Sequence, residues 1–284
     1  MAAVKTVIGI DVGGSHVTAC AADLHTMKII PGSTRRHVID PAASPETILD
    51  VLSTTIIESL AQPLSAQLHL GVAMPGPFDY EQGISHIQGL GKYEQLYGLN
   101  IKTMLAERLG IATAHIRMMN DATAYLLGEI CDREDLCRQR VVGITLGTGL
   151  GSAWYHNGVT HACGLYKLPY LDGMAEDYIS TRWFLQQYSG QVSGVRELAD
   201  KYATESEIRN LFTTFGENLA RVLLKQFPPG SQDVLIIGGN IARAWDLFIP
   251  PMQAVLANNG CAMQVLPAQK GEQAPMLGAA ALWK

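Results

Sequence analysis

Three stretches of this chain carry residue types that could do chemistry. Asp11 ends an apolar run and is followed almost at once by Gly13-Gly14-Ser15. Asn120-Asp121 follows a second apolar run. Residues 141–155 read VVGITLGTGLGSAWY, where Gly147, Thr148, Gly149 and Gly151 crowd into one turn between two apolar segments. Glycines at this density are expected to admit positive φ and bring backbone N–H groups close to a ligand. Successive amides facing one concavity make an anion site, and phosphate is the usual guest. The design occurs twice, because residues 7–22, VIGIDVGGSHVTACAA, again read as strand, Gly-rich turn with a hydroxyl, strand. Two such hairpins, one in each half, predict a duplicated domain whose halves clamp a polyphosphate between them.

Each stretch has a plainer reading beside the chemical one. A carboxylate at Asp11, beside a phosphate turn, suits a magnesium ion held partly through water; it equally suits a turn aspartate bonding its own backbone. Asn120-Asp121 reads as a helix cap, or as a general base (Asp121) with an orienting amide (Asn120) for an attacking hydroxyl. Phosphoryl transfer asks for little more than an acceptor placed in line and charge stabilised. Gly238-Gly239-Asn240, between a strand and a helix, would let a flat adenine or ribose approach the backbone, or serve packing alone. Other phosphate motifs fail. The Walker pattern is not met at Gly91-Lys92, where Tyr93 follows and His86 replaces the first glycine. Both Gly-rich turns lead into strands, not helices, which excludes a dinucleotide fingerprint.

The elements that must position these residues follow from periodicity. Residues 6–11 and 16–23 predict a buried hairpin, and 35–39 a third strand. Ser44-Pro45 opens a helix with an apolar stripe at Ile48, Leu49, Leu52, Ile56 and Leu60. Strand 68–73 runs into the loop MPGPFD (74–79), helix 101–109 follows, and strand 116–119 precedes a helix from Asn120 to about 129. The second half repeats the order: hairpin 141–155, helix 173–188, a helix capped by Thr204 with Glu207, strand 234–237, strand 263–266 and a closing helix 274–282. The expected division is a smaller α/β domain at 1–119 and a larger one at 120–284, with the closing helix able to pack back on the first, and a cleft between.

Composition narrows the class. The 284 residues are 48% hydrophobic and 17% charged, enough for two domains and a core. No apolar run is long enough to span a membrane, and the start lacks the form of a signal peptide. A net charge of −5 offers no electrostatic footprint for nucleic acid. Five scattered cysteines without a C-x-x-C pair write neither a disulfide framework nor a zinc site, and free thiols fit a reducing cytoplasm.

In this order the pieces resemble the ROK family of sugar kinases, within the actin-like ATPase superfamily. The motifs are IGIDVGGS (8–15), the P-G-P loop in MPGPFD with Gly76, Asn120-Asp121-Ala122 followed by Gly128-Glu129, LGTGLG (146–151) and IIGGNIARA (236–244). The resemblance implies two RNase H-like domains closing on ATP, magnesium and a hexose, and a homodimer. It makes Asp121 the catalytic base, Asn120, Gly76 and Glu176 sugar contacts, and Asp11 the metal residue. Gly13, Gly14, Ser15, Gly147, Thr148, Gly149, Gly151, Gly238, Gly239 and Asn240 would hold the nucleotide. The chain departs from the family where E-x-G-H is usual: Gly164 and Lys167 stand at those places, and LPYLDGMAEDYIS (168–180) replaces the cysteine-rich zinc motif, so no zinc is expected. Lys167 is read as a solvated surface lysine or a contact to an anionic sugar. His16 stands where lysine is more common. The expected activity is ATP-dependent phosphorylation of a sugar; the alternative is a degenerate sugar- or nucleotide-binding sensor or partner subunit. A repressor role is not expected, since no helix-turn-helix precedes the first strand.

Overall fold

The computed structural model describes residues 6–60 and 63–284. They form two compact units, one taking in the chain through Glu134 together with Glu272–Lys284, the other Asp135–Gly271.

In the first unit β1 (Thr6–Val12) and β2 (His16–Asp23) form an antiparallel hairpin. β3 (Lys28–Ile29) and β4 (Arg35–Val38) both pair with β2. After α1 (Pro45–Glu58), β5 (Leu70–Met74) lies parallel to β1. A small hairpin, β6 (Phe78–Asp79) and β7 (Ile84–Ser85), leads to α2 (Ile101–Leu109). β8 (Ile116–Asn120) then joins parallel to β5 and runs into α3 (Asp121–Ile130). Ser44 caps α1 as expected, its hydroxyl accepting from Thr47 N.

The central strands are apolar almost throughout because both sheet faces are covered. Ile8, Ile10, Val17 and Ala19 pack with Ile48, Leu52 and Ile56 of α1 and Leu105 and Leu109 of α2. The opposite face receives α3 and the C-terminal helix (Ala274–Ala281): Val7 and Ala22 meet Leu277 and Ala280, while Ala73 and Met119 meet Ala124 and Ala279. These two helices touch backbone to backbone. A methyl on Gly278 would strike the Ala124 carbonyl, and one on Gly128 the Ala274 carbonyl. The chain end is pinned by the Trp283 indole N–H, 3.1 Å from the Leu70 carbonyl, and by the Arg117 guanidinium 4.1 Å above its ring. This packing puts α3 with the first unit, so the unit boundary falls after Glu134, whereas the sequence pattern places it before Asn120.

The second unit repeats the sheet. β9 (Val141–Leu146), β10 (Leu150–His156) and β11 (Val159–Ala162) form an antiparallel meander. A small hairpin, β12 (Pro169–Tyr170) and β13 (Gly173–Met174), is followed by the short helices α4 (Ala175–Tyr178), α5 (Thr181–Gln187) and α6 (Val195–Lys201). The long α7 (Ser206–Gln226) precedes β14 (Val234–Gly238), α8 (Trp245–Asn258) and β15 (Gln264–Pro267). β14 lies parallel to β9 and β15 parallel to β14. Its core is aromatic, with Phe184, Phe212, Phe215 and Phe248 fully buried. Arg140 and Asp233 close its edge through a two-pronged ion pair, and the guanidinium and the Arg140 amide hold the Asp233 carboxyl down at about 2.

Two expected elements come out differently. The helix expected over 173–188 is a hairpin and two short helices, interrupted at Ile179 and the extended Ser180. The expected capping box does not form: Thr204 Oγ1 donates to the Lys201 carbonyl, and the Glu207 carboxylate is taken by the backbone and hydroxyl of Ser189.

Candidate functional site

Because β1, β5 and β8 run parallel, their carboxyl ends share one sheet edge, the place where open α/β sheets present ligand sites. Asp11 of β1 is in register with Ala73 of β5, and Met74 with Asn120 of β8. The Gly13–Ser15 turn, the Gly76 loop and Asn120-Asp121 all leave from this edge. Gly13 N donates to the His16 carbonyl at 2.9 Å, closing the first turn. The buried Tyr93 braces it from below, its hydroxyl donating to the Gly13 carbonyl at 2.5 Å.

Asp11 is the electrostatically unusual group. Its carboxyl is pushed up to about 7, first by burial and then by the charge of Asp121; Glu272 adds to this and Arg36 opposes it. Arg36 reaches the same sheet row through Thr18, its partner in β2, which also pairs with Asp11. The guanidinium lies 3.1 Å from Glu272, both side chains being exposed.

Asn120-Asp121 is a helix cap in geometry. Asn120 Oδ1 accepts from Ala122 N (3.0 Å) and Thr123 N (3.3 Å), and Asp121 Oδ1 accepts from Ala122 N at 2.9 Å. Among the described residues Asp121 Oδ2 receives no hydrogen bond. The Ala122 N–H thus holds the Asp121 carboxylate at the first turn of α3 through Oδ1. In the loop above, Gly76 precedes Pro77 through a cis peptide. The Tyr80 hydroxyl stands 2.8 Å from where a Gly76 methyl would be. It donates to the Met74 carbonyl at 2.9 Å, and Asn120 Nδ2 donates to it at 3.3 Å.

The second unit carries the equivalent edge. β9 and β14 are parallel, Gly238 pairing with Thr145, so the Gly147–Gly151 turn and Gly238-Gly239-Asn240 leave from neighbouring strand ends. Gly239 has φ +90° and abuts the Leu146 backbone, a place only glycine fills. Glu176 lies here: its Oε2 accepts from Leu150 N at 2.9 Å. Thr181 holds the other side, its N–H and hydroxyl both donating to the Gly147 carbonyl at 2.8 and 3.0 Å. Gly164 has φ +63°, and the exposed Lys167 side chain folds over it. The turns differ from expectation in one respect. Gly13, Gly14, Gly147, Gly149 and Gly151 all lie outside the left-handed region. Gly14 and Gly147 leave open space above the backbone.

The ROK family model matches residues 7–164, more than half of the chain. The chain belongs to the ROK family. It is 25% identical to the N-acetyl-D-glucosamine kinase of Mannheimia succiniciproducens, over 97% of this chain and 98% of that protein. It is 22% identical to the glucokinase of Thermotoga maritima, over 98% and 96% respectively. Among solved structures it is similar to a ROK glucokinase of Streptomyces griseus in complex with glucose and AMPPNP, with a TM-score of 0.75, 20% identity and 98% of each chain covered. The fold is thus the α/β fold of the ROK structures, with one sheet in each of its two units.

Among the described residues no three His, Cys, Asp or Glu side chains gather as a metal cage. Asp11 alone, with its pKa raised by burial and a neighbouring carboxylate, suits a cation bound mostly by water and phosphate. Cys20 and Cys163 have thiols pushed up to about 12 by burial, so they stay protonated. The 168–180 segment is held by protein contacts: the Tyr178 hydroxyl to Asp172, and Asp177 to Met174 N (2.9 Å) and to Arg182 (3.3 Å). Tyr80, Tyr93 and Thr181 escaped sequence reading, since only the fold brings them to the turns and to Asn120.

Proposed function

We propose that this ROK protein is a sugar kinase that transfers the γ-phosphoryl group of ATP to a hydroxyl of a hexose or N-acetylhexosamine. The observation that carries the reading is the gathering of Asp11, the Gly13–Ser15 turn and Asn120-Asp121 at one strand-end edge, with Asp121 Oδ2 unoccupied. The names of the relatives support the substrate class.

In this reading the acceptor hydroxyl lies against Asn120 and the Gly76 loop. Asp121 takes the hydroxyl proton on Oδ2. The hydroxyl oxygen bonds to the γ-phosphorus, the bond to the β–γ bridging oxygen breaks, and ADP leaves with that electron pair. In the first unit the Gly13–Ser15 turn would receive phosphate through its amides and the Ser15 hydroxyl; in the second the Gly147–Gly151 turn with Thr148 would do the same, and Gly238-Gly239-Asn240 would take the adenosine. Asp11 would hold a magnesium ion through water, which supplies charge neutralisation on the phosphates. The reading carries a cytoplasmic setting, where ATP and reduced thiols coexist, and the homodimer that the ROK resemblance implies. Incubation with magnesium-ATP and N-acetylglucosamine, glucose and mannose, followed by mass spectrometry, tests it. A sugar phosphate from wild type is the expected outcome.

A second reading, a non-catalytic sugar or nucleotide sensor, is favoured by one observation. Gly164 has no side chain and Lys167 is exposed, where ROK kinases usually carry Glu and His. Nucleotide and sugar binding without turnover would decide for it.

A further inference from the structure

We infer that Tyr80 is a positioning residue for phosphoryl transfer, acting through Asn120 to set the geometry of the acceptor hydroxyl at Asp121. The inference rests on the kinase reading and adds to it a residue that no motif marks.

The hydrogen bonds run in one direction. The Tyr80 hydroxyl has one proton, and it is given to the Met74 carbonyl at 2.9 Å, the last residue of β5. The lone pairs left on that oxygen can only accept, and Asn120 Nδ2 donates to them at 3.3 Å. The donor therefore has to be the amide nitrogen, which fixes the Asn120 side chain against a flip. The same orientation turns Oδ1 onto Ala122 N and Thr123 N, where it caps α3. Tyr80 thus links the end of one strand to the first turn of the helix that carries Asp121.

Asn120 Oδ1 already accepts two N–H bonds, and one Nδ2 proton is committed to Tyr80. One Nδ2 proton is left, so Asn120 can offer substrate a donor only. A sugar hydroxyl bound there accepts through its oxygen and must send its own proton elsewhere. Asp121 Oδ2 is the acceptor on the next residue. The arrangement sorts the hydroxyl into proton donor toward Asp121 before any transfer begins. The ring of Tyr80 is fixed by stacking on Phe78, with centroids 5.4 Å apart. Burial raises the phenol pKa, Asp121 adding to the shift, so the hydroxyl keeps its proton across the working pH range.

The test is Tyr80→Phe, read by steady-state kinetics with each substrate varied in turn. The expected result is a fall of about tenfold in kcat/KM for the sugar, with KM for ATP within about twofold of wild type. In an Asn120→Ala background Tyr80→Phe should have no further effect, because the residue acts through that amide. Should Tyr80→Phe not fold, 3-fluorotyrosine at position 80 keeps ring and hydroxyl while weakening the oxygen as acceptor, and should lower kcat/KM for the sugar in the same direction. Unchanged sugar kinetics would overturn the inference. So would equal losses for sugar and ATP together with a lower melting temperature, which would mark a purely structural role. Absence of turnover by wild type would instead defeat the kinase reading, so the two failures are distinguishable.

Discussion

Asp11→Asn should make the unliganded protein more stable at neutral and alkaline pH while removing its response to magnesium-nucleotide. The native carboxyl is pushed from its ordinary 3.8 to about 7. Between those values the native state holds a proton that the unfolded chain has released, so wild-type stability falls as pH rises through the window. A shift of about three units corresponds to about 4 kcal/mol at about 1.4 kcal/mol per unit. Asp11 keeps some exposure, so this is an upper bound on the effect. Asparagine has no charge to desolvate, so its advantage should be near zero at about pH 4 and reach its full size at about pH 8. Calorimetry of both proteins at those two conditions measures it. Magnesium-ATP should then raise the melting temperature of wild type and hardly that of the variant. An Asn variant no more stable than wild type at the higher pH, or equally favoured at both, would refute the electrostatic reasoning.

Other substitutions test other parts of the account. Gly278→Ala forces a methyl onto the Ala124 carbonyl and should destabilise the first unit by about 1–3 kcal/mol in urea unfolding. Asp233→Asn removes a carboxylate held at about 2 by Arg140. The partly exposed pair should contribute less than about 1 kcal/mol at neutral pH, present above the ordinary carboxylate pKa and lost as pH falls toward about 2. Glu176→Ala leaves Leu150 N without its acceptor and should weaken nucleotide binding about tenfold; Glu176→Gln, which keeps a carbonyl there, should not. Calorimetric titration with a non-hydrolysable ATP analogue distinguishes these, and a sugar-only role for Glu176 predicts no effect from either.

Much of the architecture was readable because local signals agreed with tertiary need. The apolar runs flanking Gly13-Gly14 and Gly147–Gly151 could only be buried strands, and the doubled pattern announced a doubled sheet. Asn120 shows the limit of residue-by-residue reading. The sequence offers cap or orienter for Asn120; the structure shows the cap through Oδ1 and leaves Nδ2 on the loop side, bonded to Tyr80. What escaped reading depends on partners distant in sequence. The helical pattern over 173–188 is broken at Ser180 because the Thr181 N–H and hydroxyl serve the Gly147 carbonyl. Glu207 has the spacing of a capping glutamate, yet its carboxylate accepts from Ser189 and the Thr204 N–H goes to the Lys201 carbonyl. Tyr80 and Tyr93 lie in loops without a motif, and only the fold brings their hydroxyls to Asn120 and Gly13. The glycine density suggests left-handed backbone, yet these turns avoid it, and Gly14 and Gly147 leave open space where a side chain would stand.

The central claim is that Asp121 receives the proton of a sugar hydroxyl as phosphate is transferred. The most direct measurement is phosphorus NMR of wild type and Asp121→Asn with magnesium-ATP and each sugar of the panel, circular dichroism confirming that both proteins are folded. The account predicts a sugar phosphate appearing with ADP from wild type and a loss of about a hundredfold or more in rate for the variant. Sugar phosphate formed by the folded variant at the wild-type rate would contradict it.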